Sequence, residues 1–179
     1  MTEVGTIYGQ ALYALAQEEA LCDPMLEQLR VLDDVFAKEP DFIRLLSSAN
    51  LSRQERCGIL DDSFRGRILP YLLNFLKILT EKGYMRYFSD CCRSFTESYN
   101  RDNGILPVTA VTAVPLSSAQ HAKLSEKLAQ ITGKQIQLKN LLDSTCLGGV
   151  RLEYDGKCLD DTVSHRLDAI GNLLRRTIL

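Results

Sequence analysis

Gly104 divides two regimes of periodicity, and no single fold class accommodates both. Before it, apolar residues recur every three or four positions, and each run is closed by Pro, Gly or a capping residue. After it, Ile105 to Val114 alternates and is β-branched, which predicts a strand. The expectation is mainly α with an α/β carboxy-terminal part: a six-helix bundle over 1–104, then a small mixed-sheet α/β domain over 105–179. Gly104 is the candidate hinge. The length of 179 residues suits one ordinary domain or two small ones.

Six helices are predicted in the first part. Thr2 to Leu21 carries an apolar face of Ile7, Ala11, Ala14 and Leu15, widened by Tyr8, Leu12 and Ala16. So wide a stripe suggests that two sides are covered. Asp23-Pro24 reads as an N-cap and first-turn proline. Leu26, Leu29, Val31, Leu32, Val35 and Phe36 form the expected core face. Pro40 opens a short helix with Phe42, Ile43, Leu45 and Leu46. Ser52-x-x-Glu55 is a capping box for a fourth helix, ended by Gly66. Pro70 opens the fifth, from Tyr71 to Lys82, and Gly83 is its left-handed C-cap. The sixth runs from about Met85 to Asn103.

The second part reads strand, helix, strand, strand, strand, helix. Pro107 sits near the start of the first strand, where a missing amide is tolerated. Ser117-x-x-Gln120 is a second capping box. Leu124, Leu128 and Ile131 make the helix stripe, and Gly133 closes it. Ile136 and Leu138 alternate within Gln135–Lys139. Val150, Leu152 and Tyr154 alternate with Arg151 and Glu153. Asp155-Gly156 then predicts a type I′ turn, since both central residues need positive φ. Lys157 to Leu159 returns as the partner strand. Asp160 or Asp161 caps a final helix with Val163, Leu167, Ile170 and Leu174 at helical spacing.

Composition and motifs exclude more than they assign. Residues 1–104 hold 12 Lys/Arg against 16 Asp/Glu, and residues 105–179 hold 9 against 7. The two parts therefore present different surfaces, and no basic excess points to nucleic acid. The longest apolar tract, Ile68 to Leu79, is interrupted by Asn74 and Lys77 and is too short to span a bilayer. No signal peptide opens the chain, so membrane association would run through a partner. The six cysteines, Cys22, Cys57, Cys91, Cys92, Cys146 and Cys158, form no Cys-x-x-Cys pair and read as reduced thiols. Thr132-Gly133-Lys134 is not a phosphate loop, because Leu128 holds the place of its first glycine. Gly148-Gly149 precedes a strand and reads as close backbone packing or a bulge. His165 reads as a solvated side chain beside Asp161 and Asp168. No catalytic constellation, metal or cofactor is expected.

Several stretches resemble one family, the δ subunit of F-type ATP synthase, the bacterial equivalent of the mitochondrial oligomycin-sensitivity subunit. Its carboxy-terminal signature falls on Asp143, Gly148, Gly149, Asp160, Thr162 and Val163, with Asp161 where the family usually has glycine. The Val111, Thr112, Val114, Leu116, Ser117 run and the Glu81-Lys82-Gly83 step are also similar. The first helix resembles the family's in Tyr8, Ala11, Leu12, Leu15 and Ala16, with Gly9 at a usual alanine. The resemblance implies a non-catalytic stator subunit on the cytoplasmic face of the membrane, peripheral and part of the synthase. It implies a groove between helices one and five for the amino-terminal helix of an α subunit. Tyr8, Ala11, Leu12, Leu15, Asn74, Phe75 and Ile78 are the expected groove positions. It also implies that residues 105–179 bind the carboxy-terminal helices of the b subunits. The alternative on the residues alone is a helical regulatory module with a thiol- or ligand-sensing α/β domain.

Overall fold

The computed structural model describes residues 1–48, 50–146 and 148–162. Among them the chain is mostly helical, with a small four-stranded mixed sheet towards its carboxy terminus. The described residues form seven α-helices, six before the first strand and one between the first two strands. The chain divides into two compact units, Met1–Tyr99 and the residues from Asn100 onward. That division falls within the last turns of the sixth helix, a few residues ahead of Gly104.

The first helix, α1 (Glu3–Glu18), is capped by Thr2, whose Oγ1 accepts from the Gly5 amide at 3.3 Å. Its buried face is Gly5, Gly9, Leu12, Tyr13 and Ala16. The glycines lie four apart on one side of the helix. A Cβ at Gly9 would stand 2.5 Å from the Cys91 carbonyl oxygen and 2.6 Å from Ser94 Cβ. Both belong to α6 (Phe88–Asp102), so the two backbones approach where side chains are missing. This corrects the expected stripe: Ile7 is 58% exposed, and Ala11 and Ala14 face outward too. Close approach to α6 placed Gly5 and Gly9 on the buried face, beside Leu12, Tyr13 and Ala16.

The second helix, α2 (Cys22–Lys38), starts earlier than Asp23-Pro24 predicts. Ala20 takes a left-handed φ of 56°, and the Leu21 amide donates to the Ala16 carbonyl at 2.8 Å. The chain turns straight from one helix into the next, leaving Leu21 as a cap with no side-chain bond. Asp23 is therefore not the N-cap; its carboxylate accepts from the Tyr99 hydroxyl at 2.5 Å. Met25, Leu26, Leu29, Leu32 and Phe36 are buried. Val31 and Val35, expected in the core, are 57% and 42% exposed. They sit off the Leu29–Leu32–Phe36 line and point away from the centre.

Helices α3 (Pro40–Leu46), α4 (Arg53–Phe64) and α5 (Pro70–Lys82) follow their start and stop signals. Both halves of the Ser52–Glu55 box are made, at 2.8 and 3.2 Å. Gly83 takes φ 72° as the α5 C-cap. The sixth helix does not begin at Met85: a 3-10 turn over Met85–Tyr87 precedes Phe88. Phe36 anchors the centre, with ring centroids 5.8, 6.1 and 5.0 Å from Phe42, Phe64 and Phe88. Arg56 Nη1 donates to the Leu46 and Thr80 carbonyls, tying α4 to the ends of α3 and α5.

In the second unit β1 (Ile105–Thr112) is flanked by β2 (Gln135–Leu142), parallel, and β3 (Val150–Tyr154), antiparallel. The strand β4 (Lys157–Asp160) completes the order β2-β1-β3-β4. Parallel neighbours need a crossover, and α7 (Ser118–Thr132) supplies it, with the Ser117–Gln120 box formed and Gly133 at φ 67°. Leu106, Val108, Ala110 and Leu152 pack against Leu124, Leu128, Ile136 and Leu138. Ile131, on the same helical stripe, is 81% exposed, because burial against the sheet stops at Leu128. β1 ends at Thr112 instead of Val114, where Thr112 Oγ1 donates to the Val114 carbonyl at 2.7 Å. β3 pairs with β1 only from Thr109 onward, so Pro107 stands where β1 lacks its second neighbour. Asp155 and Gly156 have φ 51° and 71°, the signs a type I′ turn requires.

Candidate partner-binding surfaces

Contacts near their ends join α1 and α5 in opposite order. The Tyr8 ring meets Tyr84, just past the α5 C-cap, at 5.8 Å. At the other end Tyr71, in the first turn of α5, lies near Glu19, whose carboxylate raises the phenol above its ordinary value. The seven groove residues named from the sequence separate into three depths. Leu12 and Phe75 are buried, at 3% and 7% exposure. Tyr8 and Leu15 are half-buried. Ala11, Asn74 and Ile78 are exposed, Ile78 by 45%. Leu12 and Phe75 thus belong to this chain's own core, and the others border it.

Sequence reasoning missed Ile7, Tyr71 and Tyr84 here. Ile7 precedes Ala11 by one turn, and Tyr71 and Asn74 precede Ile78 at helical spacing, so the pattern was legible once the buried face was known. A depression of about 510 Å³ lies where α2 meets the end of α4 and the approach to α5. Leu32, Val35, Phe64 and Ile68 line it, with Glu27 and Arg67 among its polar residues.

The signature positions in the second unit serve backbone geometry. The Asp143 carboxylate accepts from the Thr145 amide at 2.9 Å and its hydroxyl at 2.6 Å. Those two bonds hold the Asp143 carboxyl below its ordinary value. Asp160 repeats the arrangement with Thr162, at 2.9 and 2.7 Å. These Asp-x-Thr turns bracket Gly149, at φ 84°. A Cβ there would lie 2.5 Å from the Asp161 carbonyl oxygen and 3.0 Å from Thr162 Cα. Gly148-Gly149 is thus a close crossing of backbones. Val163, His165, Asp168 and the expected final helix lie outside the described residues.

Chemistry elsewhere is sparse. Among the described residues no cluster of three or more His, Cys, Asp or Glu is arranged to hold a metal ion, and no helix is long and apolar enough to cross a membrane. Burial pushes the Cys91 thiol up to about 11 and Cys92 higher still. Desolvation, then the Glu81 carboxylate, raises Cys57. A sensor thiol needs the opposite shift and access to solvent.

Comparison with known proteins matches this arrangement. A family profile described as ATP synthase delta (OSCP) subunit matches residues 4–174. The ATP synthase subunit delta of Clostridioides difficile is 30% identical over 172 residues, covering 96% of this chain and 95% of that protein. That of Alkaliphilus oremlandii is 31% identical over 172 residues, covering 96% of each. A chain from the cryo-electron microscopy structure of the Toxoplasma gondii mitochondrial ATP synthase hexamer superposes with a TM-score of 0.76, covering 97% of this chain and 98% of that one at 20% identity. At that identity the likeness speaks for the fold. The profile and the relatives, each spanning nearly the whole chain, settle the family: this chain belongs to the ATP synthase delta (OSCP) subunit family.

Proposed function

We propose that the chain is a non-catalytic peripheral-stalk subunit of an F-type ATP synthase. It links the catalytic head to the b subunits of the membrane sector and resists rotor torque during proton-driven synthesis. On this reading it works at the cytoplasmic face of the cell membrane, held there only through the complex. Residues 1–104 act as one six-helix bundle that receives the amino-terminal helix of an α subunit. Residues 105–179 grip the carboxy-terminal helices of the b subunits. No site is required for such a task. Slow dissociation is, and that calls for well-packed apolar contact at both ends.

The observation that carries the reading is the apolar strip left open beside a buried floor. Leu12 and Phe75 close the core beneath, while Ile7, Ala11 and Ile78 remain outside it. An amphipathic helix laid there would cover those side chains in the manner of helix-in-groove recognition. The test is calorimetry with a peptide of the α-subunit amino terminus. Ile78→Asp and Tyr8→Asp should each weaken binding by about tenfold or more, the scale of a lost central anchor, with circular dichroism unchanged. Equal affinity in both variants would remove the groove from the proposal. In a parallel pull-down, deletion of residues 105–179 should abolish capture by the b subunits and leave peptide binding intact.

A further inference from the structure

The side-chain amide of an asparagine is open to attack by the main-chain nitrogen of the next residue, which closes a five-membered imide. A side chain on that next residue obstructs the attack, and glycine, lacking Cβ, does not. Of the asparagines in the sequence only Asn103 precedes a glycine. Asn74, Asn100 and Asn140 are followed by Phe75, Arg101 and Leu141. Asn100 is also buried. Asn140 is restrained, because its Nδ2 donates to the Ala110 carbonyl and to Thr112 Oγ1, both at 2.9 Å.

The fold leaves Asn103 accessible. It is exposed, in the turn between the last residue of α6 and the first of β1. Gly104 takes a left-handed φ of 64°. Among the described residues no heavy atom lies within 4 Å of the place a Cβ on Gly104 would occupy. Glycine is therefore required there by its backbone angle, and an unshielded nitrogen comes with it. That nitrogen is held by a long bond, the Gly104 amide donating to the Arg101 carbonyl at 3.3 Å.

We propose that Asn103 is a site of spontaneous deamidation, which converts it to aspartate and isoaspartate in the α6–β1 turn. The Gly104 nitrogen gives up its proton and bonds to Asn103 Cγ. The Cγ–Nδ2 bond breaks, and Nδ2 leaves as ammonia with that proton. Water then opens the imide. Cleavage between the nitrogen and Cγ restores the ordinary main chain, with aspartate at 103. Cleavage between the nitrogen and the main-chain carbonyl carbon of 103 leaves the chain running through Cβ and Cγ, as isoaspartate. Water is the only co-reactant, and nothing is oxidised or reduced.

Both products carry a new carboxylate at the carboxy-terminal end of α6, where the helix dipole disfavours negative charge. Asp102 already stands beside it in the chain. Isoaspartate also adds a methylene to the main chain next to Gly104, whose carbonyl accepts from the Gln135 amide at 3.0 Å. That bond leads into the pairing of Ile105 with Gln135. The altered residue thus falls where the β1–β2 ladder begins.

The experiment ages the full-length native protein in mildly alkaline buffer beside the same chain unfolded in urea. Peptide mass mapping follows the conversion of amide to carboxylate at each asparagine, and a protein isoaspartyl methyltransferase with a labelled methyl donor reports isoaspartate. Native Asn103 should convert within about a hundredfold of its rate in urea, because the end of a helix frays at little cost. A slower rate overturns the proposal, since the turn then protects the amide. Asn103→Gln, whose longer side chain would have to close a larger ring, should lose the methyl label that the aged parent gains. Label retained at the parent's level in that variant, for instance at Asp155, which also precedes a glycine, overturns the assignment to Asn103. Amide hydrogen exchange at Gln135 should quicken in the aged protein, and unchanged exchange overturns the effect on the sheet.

Discussion

Gly9 shows how one missing atom decides a packing arrangement. Glycine inside a helix costs about 1 kcal/mol relative to alanine, so local propensity favours Gly9→Ala. The tertiary structure reverses the sign, because the added methyl would collide with the Cys91 carbonyl and Ser94 on α6. Gly9→Ala should destabilise the protein by about 1–3 kcal/mol, the usual cost of overpacking, read as a lower midpoint in urea at unchanged slope. A gain in stability would show that α6 can yield. The turn carboxylates offer a second test at this scale. Asp90 and Asp143 are held below the ordinary value by Thr2 and Thr145 respectively. A depressed carboxyl contributes stability that is complete above its unfolded value, about 3.9, and is lost as pH falls through the lower folded value. Acid unfolding curves of Asp90→Asn and Asp143→Asn should therefore be flatter below about pH 4 than that of the parent. Asp143 and Thr2 stood out in the sequence, but their partners Thr145 and Asp90 did not. Asp90 and Thr2 are remote in the chain, and nothing in the local pattern joins them.

Among the elements, starts and stops were legible and faces were not. Ser52, Glu55, Ser117, Gln120, Gly83 and Gly133 act within one helical turn of themselves, so their roles survive any tertiary arrangement. Ser52→Ala and Ser117→Ala should each cost about 1 kcal/mol, the common value for a lost N-cap, by thermal or denaturant unfolding. Asp23 is one of the exceptions, with the sixth helix's start and the end of β1. Its cap role was pre-empted when α1 ended in a turn that delivered Leu21 directly to α2. Faces depend on neighbours, and α2 separates residues that hydropathy alone does not. Leu29 is 1% exposed and Val31 is 57% exposed. Leu29→Ala should cost about 2–5 kcal/mol, whereas Val31→Ser should stay within about 0.5 kcal/mol. Comparable losses in the two would mean that Val31 is covered in solution.

For the molecule as a whole, the cysteines and the open surfaces tell the same story. Cys91 and Cys92 lie in the core of the first unit, where burial disfavours the thiolate. In native protein near pH 7 both should resist alkylation by iodoacetamide until urea unfolds the chain, with peptide mass mapping as the readout. Rapid labelling of either in native protein would reopen the thiol-sensing alternative. The chain also leaves apolar side chains outside its cores, among them Ile7, Ile78, Val31 and Val35 in the first unit, and Leu141 and Leu142 on β2 in the second. The stalk assignment proposed above would give them occupants.

Period, capping residues and turn residues are short-range quantities, and they alone determined the order of elements as far as β4, the change of regime at Gly104 and the type I′ turn at Asp155-Gly156. The family resemblance, spread over the same residues, was legible for the same reason. Which stripe of α1 is buried, which valines of α2 face out and why Gly149 must be glycine were settled only by the tertiary structure. Each depends on the distance to a segment far along the chain, and a one-dimensional pattern holds no information about how closely two backbones can approach.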